Sequence, residues 1–278
     1  MAKNYSIEEI NEHYSKRHSL RKGIFGAMPY ANYGYWIREG MTIDEACNAM
    51  TDLMAREMDV KHDDWILECG CGYGASAVYI ASHYKPHKIT GIDATDIRIQ
   101  AGRDFIKENH LEDKVHIEIG DATNLNFDSE TFTKVLAIEC AFHFNTRKDF
   151  FHEAFKVLKP GGILAMTDIV VSPDINLSNY TFEQVKDLLS ADLKYYCDDN
   201  IYSLETYTGF LKVAGFELVK TYSIKDKVIN QFADHLENVA QASPPDKKAR
   251  RMQEVERFRK KFMIGGDYIV VRAQKQKV

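Results

Sequence analysis

The residues with the most chemical potential in this chain sit where apolar runs break at glycines or acids. The run Trp65-Ile66-Leu67 ends in Glu68-Cys69-Gly70-Cys71-Gly72-Tyr73-Gly74. Glycines there let the backbone turn tightly and admit a ligand to contact distance. A helix opening at Ala75 offers that ligand free N–H groups and a positive dipole end. Asp93 closes the next apolar run, where a carboxylate can accept hydrogen bonds from two ribose hydroxyls. A third run ends at Gly120-Asp121-Ala122, which can partner an adenine amino group. A fourth ends in Ile138-Glu139-Cys140-Ala141-Phe142-His143-Phe144. Imidazole accepts protons near neutrality, so His143 is a candidate base. Glu139, a carboxylate at an expected buried strand end, is costly there unless it is used.

These positions imply the elements that hold them. Short apolar runs at Trp65–Leu67, Lys88–Ile92, Val115–Ile119, Lys134–Ile138 and Ile163–Val170 alternate with helical patterns over Ala75–Tyr84, Thr95–Asn109 and Lys148–Leu158. On the helix Thr95–Asn109 the expected inner face is Ile97, Ala101, Phe105 and Ile106. Such alternation predicts a mostly parallel sheet covered by helices, with ligands at the carboxyl ends of the strands. Before it, residues 6–60 read as mostly helical around an aromatic stretch from Gly23 to Trp36. After Pro173, helices are expected over Tyr180–Tyr196, Leu204–Ala214 and most of Lys227–Lys261. Strands at Phe216–Ser223 and Tyr268–Ala273 can form an antiparallel pair at the edge of the sheet. The expected organisation is a helical cap at 1–60, a core at 61–173 and 214–278, and lid insertions at 174–213 and about 225–262.

Composition removes several classes. The 36 Lys and Arg against 41 Asp and Glu give a formal charge of −5, contrary to the basic excess of a nucleic-acid binder. No apolar run approaches a membrane span, and the first ten residues carry no signal-peptide core. Five cysteines without framework spacing fit a reducing cytoplasm. Cys69-x-Cys71 lacks a second ligand cluster, so no metal is expected. Residues 247–261 hold eight basic residues against two acidic ones, read first as a solvated helix face and second as a contact for an anionic substrate group.

Gly70-x-Gly72-x-x-Ala75 with Asp93 also satisfies a dinucleotide fingerprint, which leaves a nicotinamide-dependent dehydrogenase as an alternative. Glu68, two residues before the first glycine, points the other way: a carboxylate there can meet the ammonium of an amino-acid moiety, which a dinucleotide lacks. The combination E-x-G-x-G-x-G, Asp93 and Asp121 resembles the class I S-adenosylmethionine-dependent methyltransferases, as does Leu158-Lys159-Pro160-Gly161-Gly162 before the fifth strand. Asn32-Tyr33-Gly34-Tyr35-Trp36 resembles a small-molecule subgroup. That subgroup holds antibiotic-sugar O-methyltransferases, tocopherol and sterol C-methyltransferases, and cyclopropane fatty-acid synthases.

The resemblance implies a Rossmann-like seven-stranded, mostly parallel sheet with an antiparallel last strand. It implies S-adenosyl-L-methionine as cofactor and S-adenosyl-L-homocysteine as product. Glu68, Gly70 and Gly72 would hold the methionine end, Asp93 the ribose, and Asp121 and Ala122 the adenine. Tyr14 and Tyr33 would lie over the cofactor's carboxylate. Thr95 matches the family pattern, whereas Arg98 replaces its usual Gln and brings a cation instead. His143, Glu139 and Asp168 are the catalytic candidates, and Glu139 could also bind the ammonium. Rings at Tyr30, Tyr35, Trp36, Phe142, Phe144, Tyr180, Tyr195, Tyr196, Tyr202 and Tyr207 suggest a lid over an apolar substrate. The expected reaction is O- or N-methylation of a small, largely apolar metabolite by an enzyme that could assemble as a homo-oligomer. The alternatives are carbon methylation of a terpene-, prenyl diphosphate- or sterol-like alkene, and a non-catalytic adenosylmethionine-binding module.

Overall fold

The computed structural model describes residues 6–17, 24–181, 183–185 and 197–277. Helices α1 (Ile7–Arg17) and α2 (Ile43–Glu57) precede the sheet. The alternation then runs β1 (Trp65–Cys69), α3 (Ala75–His83), β2 (Lys88–Asp93), α4 (Asp96–Glu108), β3 (Val115–Ile119), β4 (Phe132–Ile138), α5 (Arg147–Val157) and β5 (Leu158–Val171). The remainder is α6 (Leu204–Val213), β6 (Leu218–Ser223), α7 (Ile229–Gln241), α8 (Pro245–Ile264) and β7 (Gly266–Gln274). The helix expected over Tyr180–Tyr196 lies largely outside the described residues, as do Tyr195 and Tyr196.

The sheet order is β3-β2-β1-β4-β5-β7-β6. β7 runs antiparallel to both β5 and β6, and the other pairings are parallel. An antiparallel strand inserted between the fifth and sixth breaks the all-parallel 3-2-1-4-5-6 order of the dinucleotide fold. The dehydrogenase alternative falls on this topology.

Each face of the sheet buries its own core. One face takes Leu136, Ala165, Ile169, Tyr268 and Val270 against α2, α3 and α7. The other takes Val135, Ala137, Met166, Val170, Ile269 and Val271 against α5 and α6. On α4 the buried stripe is Ile99, Gly102 and Ile106, while Ile97, Ala101 and Phe105 are half-buried. The helix is thus rotated from its expected orientation, because Gly102 lets it approach Tyr73 and Ile117 more closely than any Cβ would allow.

Ser243-Pro244 breaks α7 from α8, with Pro245 at the first helical position, where its missing N–H costs nothing. Val255, Phe258 and Phe262 are the buried side of α8. Arg259 bonds Asp234 and Glu237 of α7 at 2.5 and 2.9 Å, and Arg250 bonds Glu254 at 3.0 Å. Lys247, Lys248, Arg257 and Lys260 are exposed. Among its described residues the basic segment thus presents a mostly solvated helix face.

Asp168 lies on the α5/α6 side of β5 and is fully buried. Arg147 grips it with Nε to Oδ2 at 2.8 Å and Nη2 to Oδ1 at 3.0 Å. The Tyr207 hydroxyl and the Ile169 N–H also donate to it, at 3.0 and 2.8 Å. Removing one partner of a buried ion pair leaves the other charge uncompensated. We expect Asp168→Ala to lower stability to urea unfolding by about 3–5 kcal/mol. A loss below about 1 kcal/mol, the worth of an exposed pair, would show that the fold does not depend on it.

Candidate active site

The turn after β1 holds Gly70, Gly72 and Gly74 at φ of +71°, +55° and +72°. A Cβ on Gly70 would lie 2.7 Å from Cβ and Sγ of Cys140, so the turns after β1 and β4 pack at a distance only glycine permits. A Cβ on Gly72 would meet nothing within 4 Å, because Gly72 borders a cavity. The Gly70 and Cys71 N–H groups donate to the Ile92 carbonyl at 2.8 and 3.0 Å. Asp93 continues the stitching, with Oδ2 accepting from the Gly72 N–H and Oδ1 from the Thr95 N–H, both at 2.9 Å. Each oxygen retains acceptor capacity for a further donor.

That cavity, about 280 Å³, lies across the carboxyl ends of β1, β2, β3 and β4. Its walls bring together Glu68, Gly70, Gly72, Asp93, Thr95, Arg98, Asp121, Ala122, Glu139 and His143. Glu68 is buried and accepts a short hydrogen bond from the Ser76 hydroxyl, while its Oε2 has no partner among the described residues. Burial pushes its carboxyl up to about 7; the Ser76 bond opposes this and the Asp93 charge adds to it. The Thr95 hydroxyl is likewise buried without a partner. Two orphaned polar groups on the wall of a cavity fit a ligand with several donors. Asp121 binds its own loop through Thr123, N–H and hydroxyl each at 2.8 Å. The Arg98 guanidinium lies 5.5 Å from the centre of the Tyr73 ring.

Glu139 leaves β4 at φ +52°, a strained conformation for a residue with a Cβ. Its N–H donates to the Thr167 carbonyl at 3.1 Å, and its Oε2 accepts from the Tyr268 hydroxyl at 2.7 Å and the Tyr33 N–H at 2.9 Å. Among the described residues no donor reaches Oε1, which is left for the cavity that Glu139 lines. Burial pushes this carboxyl up to about 8; the two donors oppose the shift, and the Asp168 charge reinforces it. His143 closes the 3₁₀ turn Ala141–His143, half-buried on the cavity wall, its ring 4.2 Å from that of Phe142. Burial pushes the thiols of Cys69, Cys71 and Cys140 up, so they stay protonated and do not act as nucleophiles.

Two candidates do not join this group. Asp168 faces the opposite side of the sheet, with both oxygens committed to Arg147. The Tyr33 ring lies among Phe232, Phe258, Phe262 and Tyr268, with centroids 4.5–6.3 Å away, and off the cavity wall. Its backbone N–H serves the site by donating to Glu139. Tyr14 lies on α1, and its side chain is outside the described residues. Among the expected lid rings, Tyr207 and Trp36 are core residues, whereas Tyr30 and Phe144 line the cavity. Sequence reasoning missed Ser6 and Ile10 at the cavity mouth, Ser76 and Tyr268. Ser76, on the first turn of the helix after the glycines, was within reach of the motif. Tyr268 carried no local signal.

Asp93→Ala should weaken binding of S-adenosylhomocysteine by about 1.5–3 kcal/mol, the worth of hydrogen bonds to a charged acceptor. Unchanged affinity in calorimetry of a folded variant would remove Asp93 from the ribose contact. Glu68 and Glu139 also set a pH dependence. Each has its pKa raised on folding, so the stability it contributes is full below the ordinary carboxylate range and is lost as pH rises through about 7 and about 8. Thermal stability should therefore fall from about pH 5 to 8, and Glu139→Gln should flatten the upper part of that slope. A slope identical to wild type would show that Glu139 is ionised across the range.

The family model for a methyltransferase domain matches residues 66–162. The chain is 31% identical over 210 residues to erythromycin 3''-O-methyltransferase of Saccharopolyspora erythraea, covering 74% of this chain and 68% of that enzyme. It is 30% identical over 176 residues to sterol 24-C-methyltransferase of Kluyveromyces lactis, covering 62% of this chain and 46% of that one. Its fold matches the cyclopropane synthase MmaA2 from Mycobacterium tuberculosis with a TM-score of 0.82, at 16% identity, over 98% of this chain and 99% of that one. No helix among the described residues is long and apolar enough to cross a membrane. With the glycine turn, the three acidic strand ends and an antiparallel β7 in place, the chain belongs to the class I S-adenosylmethionine-dependent methyltransferases, enzymes whose cofactor is S-adenosylmethionine.

Proposed function

We propose that this enzyme methylates a hydroxyl or amine of a small, largely apolar metabolite, with His143 as the proton acceptor. The observation that carries this reading is the placement of His143 and Glu139 on one wall of the cavity whose other walls hold Glu68, Asp93 and Asp121. S-adenosylmethionine, when bound, supplies a methyl already activated by the sulfonium. The chain's own contribution is then binding, orientation and proton removal.

In this reading Glu68 takes the methionine ammonium through its unpartnered Oε2, and Gly70 and Gly72 keep the backbone clear for the methionine end. Asp93 takes the ribose hydroxyls, with Thr95 and Arg98 beside it, and Asp121 and Ala122 take the adenine. Ser6, Ile10 of α1 and Pro29 to Asn32 support the assignment of residues 1–60 as a cap, since they line the cavity. The described residues of the segments 174–213 and about 225–262 would complete the acceptor side. Glu139, held at Oε2 by two donors, presents Oε1 toward the acceptor or the ammonium.

The second reading, carbon methylation of an alkene, draws support from the rings of Tyr30, Tyr73 and Phe144, which line the cavity together with Glu139. A fixed carboxylate beside aromatic faces would stabilise a developing cation. A panel of apolar alcohols, amines and alkenes, scored by release of S-adenosylhomocysteine, separates the two. With an alcohol or amine, His143→Ala should lose about 10²–10⁴ in turnover at saturating cofactor while affinity for S-adenosylhomocysteine holds. With an alkene, Glu139→Gln should carry the larger loss. Wild-type turnover in His143→Ala with a hydroxyl acceptor would remove His143 as base.

A further inference from the structure

The turn that carries His143 is not self-sufficient. Within residues 140–144 the His143 N–H donates to the Cys140 carbonyl and the Phe144 N–H to the Ala141 carbonyl, at 3.0 and 3.1 Å. The carbonyls at the end of so short a helix have no donors inside it. Here they are met from a distant part of the chain. Asn200, only 1% exposed, directs Nδ2 at the Phe144 carbonyl (2.8 Å) and the Phe142 carbonyl (3.3 Å), with that of Ala141 at 3.5 Å. The Cys197 N–H adds a bond to the Phe142 carbonyl at 3.1 Å.

The same side chain faces the other way with its oxygen. Asn200 Oδ1 accepts from the Arg147 N–H at 2.8 Å, and Arg147 Nη1 donates to the Asn200 carbonyl at 2.7 Å. Arg147 is in turn fixed on Asp168. A primary amide is the one small side chain that offers two donors and an acceptor together. Aspartate would keep the bond from Arg147 and lose every donor to the turn.

We propose that Asn200 is the positioning residue for His143. It ties the 141–144 turn to the Arg147–Asp168 pair and so sets where the imidazole stands in the cavity. This rests on His143 being the base, and the two claims fail separately. The buried pair then has a purpose besides stability: it is the fixed point from which the catalytic turn is hung.

The test needs no acceptor. In protein labelled at histidine Cε1, the His143 resonance, assigned by its absence in His143→Ala, is titrated in wild type, Asn200→Ala and Asn200→Asp. Glu139, Cys140, Glu68, Asp93, Asp121 and Arg98 line the same cavity and are common to wild type and Asn200→Ala, so a moved midpoint there reports a moved ring. In Asn200→Asp the new charge can itself move the midpoint, so that variant is read by doubling or broadening of the signal. We expect the His143 midpoint to move by about 0.5 pH or its signal to double in Asn200→Ala. His152 and His235 should be unmoved, and affinity for S-adenosylhomocysteine should stay within about twofold. Asn200→Asp should double or broaden the His143 signal even if the alanine variant fails to fold. An unchanged His143 signal in either folded variant overturns the proposal. Wild-type turnover in His143→Ala would instead overturn the base assignment, whatever Asn200 does to the ring.

Discussion

Carboxyl groups without a cationic partner govern this structure. Glu68, Asp93 and Glu139 reach one cavity from three strand ends, and among the described residues no Lys or Arg forms an ion pair with any of them. Desolvating such groups without a counter-charge is unfavourable, so two of them hold their protons well above the usual carboxylate range. A ligand bearing a positive charge relieves that cost, whereas an anionic one adds to it. The preference for a cationic cofactor is therefore built into the empty charge balance of the site.

Asp168 shows what the chain does when a buried carboxylate is structural. There it provides a bidentate guanidinium, a tyrosine hydroxyl and a backbone N–H, and it excludes the group from the cavity. Glu139 has two neutral donors on one oxygen and, among the described residues, none on the other. Pairing thus separates scaffold from site more cleanly than burial does, since Glu68 and Asp168 are both buried.

The sequence made the first four strand ends legible because each joined a short apolar run to a glycine or acid, a pattern that needs only local information. Glu68, Asp93, Asp121, Glu139 and His143 all arrive at the cavity for that reason. Asp168 misled because it has the same local signature, an acid on a buried strand. Its face depends on strand parity. Thr167, one residue earlier, reaches the Glu139 N–H with its hydroxyl at 3.1 Å, so Asp168 must point to the other face. One residue of register separates the face of the sheet that meets Glu139 from the face that meets Arg147. Tyr33 misled differently: the motif brought its backbone to Glu139 while its ring turned into the packing of α7 and α8.

The antiparallel β7 has a consequence beyond topology. Its register pairs Tyr268 with Ile169 and Val270 with Thr167, so Tyr268 and Thr167 share a face. That is what lets a hydroxyl from near the carboxyl terminus meet Glu139 at the end of β4. A parallel strand at the same place would run the other way and deliver different residues to the carboxyl ends of β4 and β5. Inserting one reversed strand thus brings a donor to the site that the first five strands lack. The donor matters because it binds the ionised form of Glu139 and opposes the burial that would keep the group neutral. Without Tyr268, the carboxyl would sit still higher, and its charge would be available only when a cation had already arrived.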